Sequence, residues 1–379
     1  MSSSTFDPIP GSAILNSISG RKSIIMAANP RIATVTKGIF RAAKDTDSAI
    51  IMELARSECD LKGGYTGMTP RIFSEKMREA AQEIGWDIWA LHADHITIKK
   101  GDPQEIEGTK LLIDAQIEAG YTSFAIDASH LFNFAGRTVR EELDQNIQIT
   151  TELAHYIGKK MKGKDFGLEV EVGEIGRKDQ EGLILTKPEE AVAFIKALNE
   201  NDVFPQVLAI ANGSTHGHTY DQNGNVVEQL SIDIPQTKAI AQALRENSLR
   251  VGIAQHGITG TPRELINLHF PKGDIIKGNV ATFWQDLVFD TFKVYEPVLY
   301  KDIQDWTVEK FRPQNPGKKD SQIFDSNRKL AIKEFSKEIY SVGEETERAI
   351  EAMAYAESLV FFRAFSSGGS ASLVRRAIG

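Results

Sequence analysis

The chain has 379 residues, a formal net charge of -8, 41% hydrophobic and 25% charged residues. That balance is ordinary for a globular protein. Its acidity excludes the basic face of a nucleic-acid-binding protein but leaves room for a local basic pocket.

Cys59 is the single cysteine, so no internal disulfide is expected and the compartment is read as reducing. Neither a signal-peptide pattern nor a run of eighteen apolar residues is found. The expectation is a cytoplasmic chain with no membrane span.

Eight short apolar runs follow in order: 23–29 (SIIMAAN), 48–55 (SAIIMELA), 88–95 (IWALHADH), 123–129 (SFAIDAS), 167–173 (GLEVEVG), 205–212 (PQVLAIAN), 251–257 (VGIAQHG) and 273–280 (GDIIKGNV). Their length and Ile, Val, Leu and Ala content suit strands buried on both faces of a parallel sheet. Helical stretches are expected between them at 33–44, 70–84, 105–119, 137–160, 188–199, 234–246 and 261–270. Thr69-Pro70 and Thr186-Lys187-Pro188 read as helix starts, with Pro in the first turn. Eight strands each followed by a helix predict an α/β fold, a (β/α)₈ TIM barrel, rather than a doubly wound open sheet.

The barrel is expected over residues 1–300, with a C-terminal linker and helical extension over 301–379. Residues 311–325 read as a Pro- and polar-rich linker or excursion and 327–366 as helix, with apolar spacing at Ile339, Val342, Ile350 and Met353. Residues 366–370 (SSGGS) read as a flexible element suited to contacting a partner, and the extension as an oligomer interface or a cover for a neighbour's site.

The polar residues of the strands collect at their C-terminal ends. His92, Asp94 and His95 end the third run; Asp127, Ser129 and His130 close the fourth; Glu169 and Glu171 lie on the fifth. His216 follows the sixth, His256 ends the seventh and Asn279 the eighth. In a parallel barrel those ends open onto one face, so scattered residues converge. His95, His216 and His256, from three strands, suit an open zinc site. His92 is three positions from His95 and is expected to point away, as a hydrogen-bonded core or helix-facing histidine. His130, His155, His218 and His269 read as ordinary histidines.

In this order the chain carries ALHADH, IDASH, LEVEVGEIG, NGSTHG, QHGITG and KGNVAT. The set resembles the class II, metal-dependent ketose-bisphosphate aldolase family, which includes fructose- and tagatose-bisphosphate aldolases. The resemblance implies reversible cleavage of a phosphorylated ketose, fructose 1,6-bisphosphate or similar, to dihydroxyacetone phosphate and an aldehyde. It implies Zn²⁺ on His95, His216 and His256, Glu171 near a second metal position, and it allows a monovalent cation. Asp94 matches the aspartate that exchanges a proton with the C4 oxygen. Because neighbours on a strand face opposite sides, the third strand must twist or end there for Asp94 and His95 to share a pocket.

The resemblance further implies that Asn279 binds the donor substrate, with Asn29 and Asp127 supporting the pocket. Gly217, Gly257, Thr259 and Thr282 match phosphate-binding loops. Lys277 and Arg56 read either as added charge or as surface cations. In the loop after the fifth strand, Asp179 and Glu181, with Glu174 behind them, are candidates for the base that takes the donor proton.

HGITG and NVAT depart from commoner family forms, and Ala281 resembles tagatose-type members. A deoxy, sulfo or tagatose-type sugar phosphate is therefore an alternative substrate, and a non-catalytic barrel subunit or a Schiff-base aldolase using Lys277 an alternative role. A homo-oligomer is expected, with no nucleic-acid or membrane partner.

Overall fold

The computed structural model describes residues 6–175, 183–214, 219–220, 226–228 and 230–379. Eight parallel strands form a closed barrel, as the apolar runs predict. They are β1 (Ile25–Ala28), β2 (Ile50–Ala55), β3 (Trp89–Thr97), β4 (Ser123–Asp127), β5 (Gly167–Val172), β6 (Val207–Ile210), β7 (Gly252–Gln255) and β8 (Ile275–Val280). Each pairs with the next, and β8 closes on β1 through Ile25–Lys277 and Ala27–Asn279. Almost every strand residue is buried, because helices cover the outside and side chains fill the inside.

α1 (Gly11–Ser17), which the apolar pattern did not announce, precedes β1 and hydrogen-bonds the barrel floor through Gly11 N–H to Thr122 O, 3.1 Å. The outer ring is α2 (Thr36–Asp45), α3 (Pro70–Ile84), α4 (Pro103–Glu118), α5 (Val139–Met161), α6 (Pro188–Glu200), α7 (Ile234–Glu246), α8 (Arg263–His269) and α9 (Thr282–Tyr295). The expected helix starts hold: Thr69 caps α3 by accepting from Ile72 N–H, and Pro70 and Pro188 stand in first turns. Among the described residues no helix is long and apolar enough to cross a membrane.

The remainder is α10 (Pro297–Phe311), α11 (Asp320–Asn327), α12 (Ala331–Glu334), α13 (Ser336–Ile339), α14 (Glu344–Phe365) and α15 (Ser370–Ile378). Two expectations are corrected here. The polar stretch 311–325 is not a plain linker: it folds into a 3₁₀ turn and α11, where buried Phe324 packs on the rings of Phe289 and Tyr300. Residues 366–370 are not a flexible element. Ser366 takes the left-handed cap of α14, Ser367 is fully buried, and the N–H groups of Gly369 and Ala371 bond Thr46 O (3.0 Å) and Asp47 O (2.9 Å).

α14 lies against α2, α8 and α9 and buries Phe361, Phe362 and Phe365. Burying such a side chain stabilises by about 1.5–3 kcal/mol. Gly38 makes the α2 crossing possible, since a Cβ there would stand 2.2 Å from Glu351 O. The C-terminal helices thus share one hydrophobic core with the barrel.

Candidate active and metal site

The β3–β4 ladder slips where the chemistry begins. Between the pairs Ala93–Phe124 and Ile96–Ile126, β3 uses one more residue than β4. The surplus lies at Asp94-His95, and His95 takes φ 39°, in the left-handed region. This β-bulge re-aims a side chain that strict alternation would send outward. Asp94 and His95 therefore both line one cavity of about 700 Å³ at the C-terminal mouth of the barrel.

His256 comes from the end of β7, and its ring centroid lies 4.8 Å from that of His95. Asp94, His95 and His256 each offer a ligand atom, all within 4.8 Å of one another; His95, Asp127 and Glu171 form a second such set. His95 Nδ1 is 3.2 Å from Glu171 Oε2 and 3.5 Å from Asp127 Oδ2. Burial disfavours the imidazolium, but Asp94, Glu171 and Asp127 outweigh it and raise the His95 pKa well above the usual range. The same negative field, with two imidazoles, fits a divalent cation. Asp127 also accepts from the Ser129 hydroxyl, 2.7 Å, and from Thr97, 3.2 Å, which hold it beside His95.

The class II fructose-bisphosphate aldolase model matches residues 11–353. The chain belongs to this family.

A fructose-bisphosphate aldolase of Streptococcus pneumoniae serotype 4 is 25% identical over 248 residues, 65% of this chain and 69% of that protein. The GatZ subunit of a Salmonella choleraesuis D-tagatose-1,6-bisphosphate aldolase is 31% identical over 91 residues, 22% of each chain. The crystal structure of the YdjI aldolase from Escherichia coli K12 shares the fold at TM-score 0.60 and 16% identity, covering 96% of this chain and 99% of that one. The family match runs well past residue 300, so much of the C-terminal extension is part of the family pattern, beyond the span the motifs marked.

Under the metal donors this class II aldolase buries a charge network. Lys277 is fully buried, with its Nζ 2.7 Å from Glu169 Oε2, 2.9 Å from Glu53 Oε2, 3.3 Å from His92 Nε2 and 3.8 Å from Asp94 Oδ1. Burial opposes the ammonium, yet Glu169, Glu53 and Asp94 raise its pKa above the ordinary lysine range. The surface reading of Lys277 is thereby corrected, and so is the Schiff-base reading, which needs a neutral amine that a carbonyl can reach. Burial, reinforced by Asp94 and opposed by Lys277, pushes the Glu53 carboxyl up to about 8.

His92 faces the barrel interior rather than a helix. Its Nδ1 is 2.7 Å from Ser123 Oγ, and burial, then Lys277, depress its pKa well below the usual value. It is the hydrogen-bonded core histidine that the spacing allowed.

At the rim, Asn29, Gly257, Thr259, Asn279 and Thr282 all line the cavity. Gly257 has φ 72°, a conformation that suits glycine, and turns the chain out of β7. Thr259 Oγ1 accepts from Phe283 N–H, 3.1 Å, which joins the β7 loop to the first turn of α9. Arg56 also lines the cavity, tied to Thr97 O (2.8 Å) and Thr109 Oγ1 (2.9 Å), so it is not a free surface cation. His216, Gly217, His218, Asp179 and Glu181 lie outside the described residues.

Sequence reasoning missed Glu53, Glu58 and Arg31. Glu58 accepts from Asn29 Nδ2 (2.6 Å), Ala55 N–H (2.7 Å), Arg31 Nε (2.7 Å) and Tyr65 OH (2.7 Å). Arg31 also reaches Thr282 Oγ1 and Gln285 Oε1, each 3.2 Å. Glu53 was legible as a lone carboxylate inside the apolar run 48–55; Arg31 and Glu58 sit in loops where charge is unremarkable.

Proposed function

We propose that this chain catalyses reversible cleavage of a phosphorylated ketose to dihydroxyacetone phosphate and an aldehyde, with zinc as the working metal. The observation that carries the reading is the β3 bulge, which turns His95 into the cavity that Asp94 and His256 also line. His95 and His256, with His216 as third ligand and Glu171 near a second position, would hold the metal. Bound there, a divalent cation supplies Lewis acidity toward the substrate's carbonyl.

In the cleavage direction Asp94 takes the proton of the C4 hydroxyl as the C3–C4 bond breaks. The bond's electron pair passes to the three-carbon donor fragment, and a loop carboxylate, Asp179 or Glu181, returns a proton at C3. Gly217, Gly257, Thr259 and Thr282 bind the donor phosphate through loop N–H and hydroxyl groups, and Asn29 and Asn279 orient the donor. A barrel serving only as a scaffold has no use for Glu53, Asp94, Asp127, Glu169 and Glu171 buried side by side, since unpaired buried charge is unfavourable.

The test is metal analysis of the purified protein followed by a panel of ketose phosphates, with fructose, tagatose, deoxy and sulfo members. Stoichiometric zinc, chelator-sensitive cleavage and dihydroxyacetone phosphate as product are expected. Zinc-loaded protein that cleaves no member of the panel defeats the reading.

A further inference from the structure

Arg263 opens α8, just past the loop that leaves β7. It is partly buried, and among the described residues it makes no ion pair; Glu357 and Glu264 act on it only from a distance. Its one side-chain hydrogen bond there runs from Nη1 to Thr261 O, 3.0 Å, and its buried Nε has no hydrogen-bond partner.

Aromatic rings hold it instead. Its Cζ lies 4.0 Å from the ring centroid of Phe361 on α14 and 4.7 Å from that of Phe283 in the first turn of α9. The two rings meet edge to face, with centroids 5.2 Å apart and planes at 84°. The guanidinium fills the corner between them, where ring faces attract a cation.

These contacts close a circuit around the β7 loop. Arg263 holds Thr261 O, and Thr261 is tied back to Gly257 O through Oγ1 and to Ile258 O through its N–H, each 3.0 Å. Thr259 Oγ1 accepts from Phe283 N–H, 3.1 Å, and the Phe283 ring returns to Arg263. Gly257, Ile258 and Thr259 on one loop and Ala281 and Thr282 on the other all line the cavity, while Arg263 stands behind its wall. The circuit therefore fixes how far apart the two cavity loops stand.

Packing alone does not account for the residue. A cation buried without a counter-charge is unfavourable, and an apolar side chain would fill the same corner without that cost. What an apolar side chain lacks is the bond to Thr261 O together with attraction to two ring faces at once.

We propose that Arg263 is a positioning residue, which uses Phe361 of the C-terminal helix and Phe283 of α9 to hold the β7 loop and the turn into α9 at the spacing that binds the donor phosphate. The C-terminal extension thereby acts on the site through α14. The proposal rests on the ketose-phosphate reading for its ligand. The locking of the two loops rests only on the contacts above.

The experiment titrates zinc-loaded wild-type protein, Arg263→Met and Arg263→Lys with dihydroxyacetone phosphate and with dihydroxyacetone, which lacks the phosphate. Arg263→Met keeps the length and apolar stem but loses the charge and the Thr261 bond. It should weaken the phosphorylated probe by about tenfold and the other by less than about twofold, with zinc content unchanged. Arg263→Lys, which keeps a cation over the rings, should stay within about threefold of the wild type. Equal weakening of both probes in Arg263→Met, or none, overturns the proposal, since a merely structural arginine would leave the ratio unmoved. Should Arg263→Met fail to fold, Phe283→Leu removes one ring and carries the same expectation. If the wild type binds neither probe, the ketose-phosphate reading fails, and amide hydrogen exchange tests the locking separately. Faster exchange over 257–261 and 282–285 in Arg263→Met, with β1 unchanged, supports it; equal exchange in the two proteins overturns it.

Discussion

The ammonium of Lys277 lies 2.7 Å from the carboxylate of Glu169 in the sealed interior of the barrel, one layer below the candidate metal donors. Glu169 and Glu171 are two residues apart on β5, as are Lys277 and Asn279 on β8, so each strand gives one side chain to the charge layer and one to the site above it. The ion pair is thus the floor on which the site stands.

Removing that cation leaves Glu53 and Glu169 buried without their main partner. Lys277→Met is expected to lower the unfolding free energy by about 3–5 kcal/mol, the usual cost of breaking a buried pair from one side. Urea denaturation measures it. Borohydride with dihydroxyacetone phosphate should leave no mass adduct on the wild-type protein; a trapped adduct on Lys277 would contradict its burial.

Asp94→Asn keeps the shape of the site and removes the proton acceptor. Carbon–carbon cleavage is expected to fall by about 10²–10⁴-fold, while metal content holds. An unchanged cleavage rate would remove Asp94 from the proposed step.

His256→Ala takes away one of the two imidazoles that meet at the β3 bulge. Zinc occupancy after dialysis, read by elemental analysis, should drop well below that of the wild type. His92→Asn should leave occupancy intact, because His92 belongs to the layer beneath. Equal losses in the two variants would mean that the layers are not separate.

The Cys59 thiol offers a pH test away from the site. Burial, with Glu58 and Asp60 adding their charge, pushes its pKa up to about 12. The unfolded thiol ionises near its ordinary value of about 8.5, so above that pH the folded state binds more protons than the unfolded one, and stability falls as pH rises toward 12. Cys59→Ala should flatten the alkaline slope of the melting temperature. A thiol reagent at pH 8 should label the chain only after denaturation; rapid labelling of the native protein would count against the burial.

Gly38→Ala tests the crossing of α2 and α14. Its added methyl meets the Glu351 carbonyl and the Tyr355 amide, both backbone. A loss of about 1–3 kcal/mol is expected, as for overpacking, against the small gain that alanine gives an exposed helix. A more stable variant would show that the two helices separate without cost.

Much of this molecule is written locally. Eight apolar runs with intervening amphipathic stretches determine a parallel barrel, because both periodicities are read within a few residues. Polar residues at the ends of those runs also mark the mouth as the site, since every strand of such a barrel points the same way. Alternation alone puts His92 with Asp94, Glu169 with Glu171 and Lys277 with Asn279 on shared faces.

What alternation cannot determine is where it breaks and which charges meet. His95 faces the cavity only because the β3–β4 register slips by one residue, and a slip belongs to the pair of strands. Lys277 looked like a surface cation because nothing near it in sequence neutralises it; Glu169 stands 108 residues away and Glu53 farther still. Asn29 and Glu58 are 29 residues apart and become partners only when the loops after β1 and β2 are laid side by side. The serines and glycines of 366–370 read as flexible from composition, but the end of α2 supplies the carbonyl oxygens that order them. Barrel closure decides each of these, because it sets the distances over which charges and hydrogen bonds act, and those distances are not encoded within any one segment.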